Sequence, residues 1–383
     1  MRRSILSFLW APLVAISAIA QTPSPVANVY VGSPTRGVYV YHAAADGQLT
    51  LVPGSPFQTV GQGVGSNGKY FFSLGTYLVH VYPVAANGSL KPQISQIDTR
   101  AYGGANCEPT WATDSLLDHT GQQLYVFLSN LPLANNCVTY QTYTINKSSG
   151  LLTFTGAATD PAWYAFAELP TLSGNDQYLY LENDFDINET LVNNLSALRR
   201  EANGSLALWD IAITYPPEQG GLPWGPYLVA NDPTNHLIVA LYQYTGHNIF
   251  LGSFTEDAQG NLTTTNTYAT MPITDVFPTR LDMSPDGAYL AVAGNVNNSA
   301  YHGTAGLEIY HVNGAAPLTK YAVLTTAPID QIHWDKAGHL YAVSDSTRQV
   351  FVFTVTAASI TPAPGSPYQV AAPSLDSLTV VPK

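Results

Sequence analysis

The chain has little charge and little of it is basic. Only 10% of its residues are Asp, Glu, Lys or Arg, with 14 basic against 26 acidic and a formal net charge of −12. Such a surface repels nucleic acid and anionic membranes. It also disfavours a phosphorylated substrate unless the few arginines cluster locally. There is no GxSxG elbow and no HExxH, and the nine His are scattered without metal spacing. What abounds is Tyr, Thr, Val, Gly, Asn and Pro, which is strand and turn chemistry and predicts an all-β protein.

Arg2 and Arg3, an apolar run from Ile5 to Ile19, and Ala18-Ile19-Ala20 ahead of Gln21 read as a cleaved export signal over residues 1–20. No Cys follows the run to take a lipid, and no later run is long enough to span a bilayer. We therefore expect a secreted or periplasmic monomer, with a linker over 21–27 and one domain over 28–383.

Self-comparison gives the architecture. The first copy of a repeated unit is NVYVGSPTRGVYVYHAAADGQLTLVPGSPF, and six further copies begin at FFSLG, LYVFLSN, YLYLEND, LIVALYQ, YLAVAGN and LYAVSDS. Six segments between copies, such as GVGSNGKY and DMSPDGAY, supply a further strand, and the last segment, PSLDSLTVVPK, supplies the seventh. Four antiparallel strands per unit and a tail that completes the first unit specify a seven-bladed β-propeller closed by its C-terminal strand.

With strands a to d counted outward from the channel, a–b and c–d turns share one face of the ring. Asn67-Gly68, Asp286-Gly287, Asp46-Gly47, Asn87-Gly88, Asn203-Gly204 and Asn313-Gly314 fall there as hairpin signals. The b–c and d–a connections, such as DTRAYGGANCEPTW and TYPPEQGGLPWGP, read as long and irregular, which marks the other face for binding. Cys107 and Cys137 both fall on that face, and in an exported chain with two Cys a disulfide is expected, the alternative being separate buried thiols.

Gly63, Gly65 and Gly68 spell a nucleotide-loop pattern, but a strand follows where a helix N-terminus is required. Asp184, Asp186 and Asn188 begin like a calcium loop, after which Glu189 stands where Gly should turn the chain and Leu195 where a closing Glu should stand. Calcium there is one expectation, and a merely solvated loop is the other. A stronger signal is one register of the innermost strand, in which Arg280 aligns with Gly61, Asp114, Leu169, Tyr227 and Gln331 around the channel mouth. Trp111, Trp163 and Trp224 lie nearby and either stack on a sugar-like ring or simply pack between blades.

The strand-then-Gly-x-Leu pattern, GSPF at Gly54 to Phe57 with its echo GSPY at Gly365 to Tyr368, and SPDG at Ser284 to Gly287 resemble the lactonase family of seven-bladed propellers, which includes 6-phosphogluconolactonase-like proteins. The resemblance covers essentially the whole chain after the signal and identifies blades. Family members often carry a Gly-Pro-Arg-His run at the start of an inner strand; here Pro278-Thr279-Arg280 keeps the Arg with Leu281 in the His place, and Gly225-Pro226 is followed by Tyr227. The resemblance implies hydrolysis of a cyclic ester, which needs a base to activate water and a donor to steady the oxyanion. Asp114 is then expected as base, with Glu108 and Glu168 as substitutes. Arg280 is expected as the electrostatic clamp, and Tyr227 and Gln331 as residues that orient a sugar or other extracellular lactone. The competing expectation is a non-catalytic propeller that binds a glycan, peptide or cell-envelope partner on the same face, since fold alone does not settle function.

Overall fold

The computed structural model describes residues 24–60, 62–102, 107, 111–129, 137–160, 168–187, 190–216, 224–243, 247–297 and 303–383. Their strands assemble into seven antiparallel sheets. Blade 1 takes its innermost strand, Ser377–Pro382, from the end of the chain and the other three, Ala27–Ser33, Gly37–Ala43 and Leu49–Leu51, from the beginning. The innermost strands of blades 2 to 7 are Gln62–Ser66, Trp111–Leu117, Glu168–Leu172, Trp224–Asn231, Arg280–Met283 and Gln331–Trp334. Each touches the next, and Gln331–Trp334 touches Ser377–Pro382, so the ring is closed.

Hydrophobic burial follows this ring. Among the described residues the core is divided into seven clusters, each drawn from two adjacent blades. Tyr341 and Val343 of blade 7 pack with Val29, Val31 and Tyr39 of blade 1, for example, and Phe72 of blade 2 with Val126 of blade 3. A strand such as Gly37–Ala43 (GVYVYHA) is buried almost throughout because both of its faces meet a neighbouring blade. One blade alone would leave both faces wet, so the blades stand or fall together.

The abundance of Tyr has a specific use. Tyr hydroxyls on the second strand of one blade donate to carbonyls in the c–d turn of the next: Tyr30 to Gly88 O at 3.0 Å, Tyr70 to Ser148 O at 2.7 Å and Tyr180 to Gly260 O at 3.0 Å. Burial pushes the Tyr30 and Tyr180 phenols well above their ordinary range, which keeps them neutral donors. The Gly88 turn runs at φ 78°, and a Cβ there would sit 2.8 Å from Asn28, so the stitch requires glycine on both counts.

The a–b turns are stabilised by a Ser or Asp that leads each of them. Asp118 Oδ1 accepts from Gln122 and Gln123 N–H at 2.7 and 2.9 Å, Ser173 Oγ from Tyr178 N–H at 3.0 Å, Ser284 Oγ from Tyr289 N–H at 2.9 Å, and Asp335 Oδ1 from His339 N–H at 2.9 Å. A side-chain acceptor thus replaces the ladder bond that a tight turn cannot make. All six Gly of the expected hairpin turns have positive φ.

The opposite face is less uniform than its sequence suggests. Several d–a connections are long, but the b–c connections of blades 1, 2 and 7 close in a few residues, between Ser33 and Gly37, Leu74 and Leu78, and Ser344 and Gln349. The segment read as an acidic loop is also different: Tyr178–Ile187 and Thr190–Arg200 form a long hairpin, with Asp184 opposite Asn193 and Asp186 opposite Leu191. Its backbone is extended up to Ile187 rather than looped, because the ladder with the next strand continues past the blade rim. Asn188 lies outside the described residues. Cys107 and Cys137 form a disulfide that fastens the connection between blades 2 and 3 to the b–c end of blade 3.

Two measurements test this account. A chain ending at Ala372 loses the innermost strand of blade 1, and we expect it to be insoluble or to lose its cooperative thermal transition; an unchanged melting curve would contradict ring closure as the source of stability. Tyr30→Phe leaves the buried Gly88 carbonyl without its donor and is expected to cost about 1–3 kcal/mol in a denaturant titration.

Candidate functional site

The innermost strands enclose a cavity of about 760 Å³, and its lining includes Asp114, Arg280 and Gln331. These residues come from blades 3, 6 and 7 and are far apart in sequence. Their common register on the innermost strand brings them to one channel. Four consecutive innermost strands, those of blades 2 to 5, are irregular at this level, with register shifts between Gly63 and Gly65, Ala112 and Asp114, Glu168 and Thr171, and Pro226 and Leu228. Bulges re-aim side chains, and a run of them at one rim of the ring is where a site is commonly built. Within the blade 4 bulge Leu169 sits at φ 52°, a conformation that a leucine adopts only when its surroundings impose it.

What imposes it includes Asp114. Its Oδ2 accepts the Leu169 N–H at 3.2 Å and its Oδ1 accepts the Ser115 N–H at 2.7 Å. The carboxylate therefore bridges two innermost strands and is held in a fixed orientation at the channel wall.

On the other side, Arg280 Nε donates to Gln331 Oε1 at 3.3 Å, and Gln331 Nε2 reaches the Asp376 carbonyl at 3.4 Å. A polar arc thus runs across blades 6, 7 and 1. Asp376 belongs to the closing tail, and its side chain packs against Gly32, where a Cβ would come within 2.7 Å of Oδ1. Burial raises its carboxyl above the usual range, while the Ser377 hydroxyl, 3.1 Å from Oδ1, pulls the other way.

Two residues deeper along the same strands lies a second polar pair. His333 Nδ1 is 3.1 Å from Asp282 Oδ2, and both residues line the same cavity. The imidazole is 45% exposed to the lumen although protein surrounds it. Enclosure by the channel walls draws His333 down, but the Asp282 carboxylate outweighs that effect and holds the imidazole above its ordinary value. Asp282 also fixes the wall between blades, since its carbonyl accepts Trp334 Nε1–H at 3.2 Å. The rest of the lining is largely apolar and includes Leu116, Leu169, Leu228 and Val380.

The remaining expected residues are placed less completely. Trp111 opens the innermost strand of blade 3 and is half-buried. Glu168, Trp224 and Tyr227 occupy innermost strands of blades 4 and 5, with backbone positions only. Glu108, Trp163 and Gly61 lie outside the described residues. Reading the sequence in a single register missed Asp282, His333 and Asp376. The first two were available as the positions two residues after Arg280 and Gln331, on the same side of each strand. Asp376 was hidden because no turn follows the tail to align it. Among the described residues no group of three or more His, Cys, Asp or Glu is arranged to hold a metal, and no helix is long and apolar enough to cross a membrane.

No protein-family model matches the chain, and no curated protein matches it by sequence. Solved structures do match by fold. A provisionally named 6-phosphogluconolactonase from Bacteroides fragilis superposes with a TM-score of 0.62 at 14% identity, covering 93% of this chain and 98% of its own. One so named from Bacteroides uniformis gives 0.63 at 13% identity, covering 93% and 99%. A protein from Lactobacillus plantarum gives 0.62 at 14%, covering 93% and 98%. The chain is thus a seven-bladed β-propeller that shares its whole fold, though little of its sequence, with 6-phosphogluconolactonase-like structures.

Proposed function

We propose that the protein is an exported hydrolase of small, uncharged cyclic esters that works in the channel. The observation that carries this reading is the convergence of Asp114, Arg280 and Gln331 on one cavity of about 760 Å³. Export is supported by the disulfide, which persists in oxidising compartments. The chemistry is water addition to the ester carbonyl followed by cleavage of the ring C–O bond, giving a hydroxy acid. Arg280, held by Gln331, steadies the oxyanion as charge develops on the carbonyl oxygen. Asp114, whose carboxylate is fixed at the channel wall by the Ser115 and Leu169 N–H groups, positions a substrate hydroxyl. A phosphorylated lactone of the kind named for the fold neighbours is a poorer fit, because Arg280 is the one Arg or Lys of this polar arc among the described residues.

A second reading, a glycan- or peptide-binding propeller of the cell envelope, has one observation in its favour. Leu281, in the His place of the family run, packs with the cluster between blades 5 and 6. The neighbour of Arg280 therefore supplies packing and no chemistry.

Release of hydroxy acid from delta-valerolactone and glucono-delta-lactone by the purified protein separates the two readings. We expect turnover above background, a loss in kcat/KM on the order of 10²–10³ for Arg280→Ala, and for Asp114→Asn a raised KM for glucono-delta-lactone with kcat largely kept, all with melting curves unchanged. No turnover of either compound would leave the binding reading.

A further inference from the structure

We propose that His333, oriented by Asp282, is the base that delivers water to the lactone carbonyl; this rests on the hydrolase reading above. Asp282 Oδ2 lies 3.1 Å from His333 Nδ1, which places the ring proton on Nδ1 as donor to the carboxylate and leaves the Nε2 lone pair as the acceptor. No described residue hydrogen-bonds Nε2, and nearly half of the side chain faces the lumen.

The spacing suits the reaction. Arg280 precedes Asp282, and Gln331 precedes His333, by two residues on parallel faces of adjacent innermost strands. Two residues of strand rise roughly 7 Å. A carbonyl held about 3 Å from the Arg280 guanidinium then has room for one water between its carbon and His333 Nε2. Nε2 takes a proton as the water oxygen bonds to the carbonyl carbon, and the pair of electrons of the C=O moves to the oxygen facing Arg280. Collapse of that intermediate breaks the ring C–O bond, and the proton on Nε2 passes to the departing ring oxygen. The histidine ends as it began, and the product is the open hydroxy acid. Asp114 keeps the role of positioning substrate, since its oxygens are already engaged by the Ser115 and Leu169 amides.

The groups around His333 allow its titration to be read. On the innermost strand of blade 6 it faces Asp282, with Arg280 one layer away. Asp335 and Lys336 follow it in its own blade, and Asp335 adds a further upward pull. Its cross-strand neighbour Tyr341 has its hydroxyl committed to Asp335 at 2.7 Å. The neighbouring innermost strand of blade 1 contributes Val380 and Pro382 to the cavity, and Asp114 and His119 line it from blade 3. Neutral imidazole is the active form, so activity rises with pH through a midpoint above the ordinary histidine value of about 6.5 and then levels off.

The test is hydrolysis of delta-valerolactone by the full-length protein across pH, with folding checked by thermal melting. We expect His333→Gln to lower kcat by about 10²–10⁴-fold, and added imidazole to restore activity to His333→Ala. Asp282→Asn removes the charge that holds the imidazole up, so the midpoint should move to lower pH, a shift that mere loss of packing does not produce. Wild-type turnover in His333→Gln, or a midpoint near 4 that Asp282→Asn leaves in place, would overturn this assignment while turnover by the wild-type protein keeps the hydrolase reading. Absence of hydrolysis by the wild-type protein would remove both.

Discussion

The pairing of Ser377–Pro382 with Ala27–Ser33 is the constraint on which the rest depends. Each blade has two apolar faces and each face needs a neighbour, so an open row of blades would end in two wet surfaces and an unpaired edge. Joining the last strand of the chain to the first removes both defects at once. The closing strand is also a wall of the channel, since Val380 and Pro382 line the cavity and the Asp376 carbonyl receives Gln331. Stability and site are therefore built from one contact, and Gly32 and Gly63 show how close it is: a Cβ on Gly32 would fall 2.0 Å from Ser377 Oγ, and the Gly63 N–H donates to the same oxygen at 3.3 Å.

Closure also explains why the chemistry gathers where it does. The innermost strands present one register to a shared lumen, so residues hundreds of positions apart become neighbours through their depth along the strand. The irregularities concentrate on that side: bulges in blades 2 to 5, a left-handed Leu169, and an Asp114 carboxylate that ties two of those strands together. Blades 6 and 7 run regularly there and carry Arg280, Asp282 and His333. The channel is thus asymmetric, with bulged, largely apolar strands facing an ordered polar wall of Arg280, Gln331, Asp282 and His333.

Much of this was legible in the residues because the repeat is written in turn chemistry. Asn-Gly and Asp-Gly pairs require positive φ, which fixes where each hairpin turns and hence the face on which Cys107 and Cys137 meet. Aligning blades on those turns placed Arg280, Asp114 and Gln331 at one depth. The same device fails wherever a turn is missing or a strand slips. Asp376 has no turn after it, and a bulge shifts Leu169 and Tyr227 within their strands. His333 and Asp282 were passed over for a different reason: they stand 51 residues apart on the innermost strands of adjacent blades, and only the packing of those two strands makes them a pair. The short b–c connections were misjudged because a few long examples stood for the whole face, whereas each connection answers only to the span it must bridge.

The polarity of the channel bears on what can enter it. Among the described lining residues the permanently charged cations are Arg280 and Lys336, and they do not act together. Lys336 follows the innermost strand of blade 7 in the turn at its far end, five residues beyond the Gln331 that Arg280 contacts. At about 3.3 Å of rise per residue the two cations are separated by roughly the length of that strand, too far to grip one phosphate between them. Arg280, sharing its Nε with Gln331, lines the lumen together with the carboxylates of Asp114 and Asp282. On the hydrolase reading proposed above, a neutral ester would meet a donor, an acceptor and an apolar wall there, whereas a dianionic one would meet two carboxylates beside one guanidinium. The composition sets an expectation against phosphate from the net charge of the whole chain, and the hydrolase reading adds to it the separation of the two channel cations.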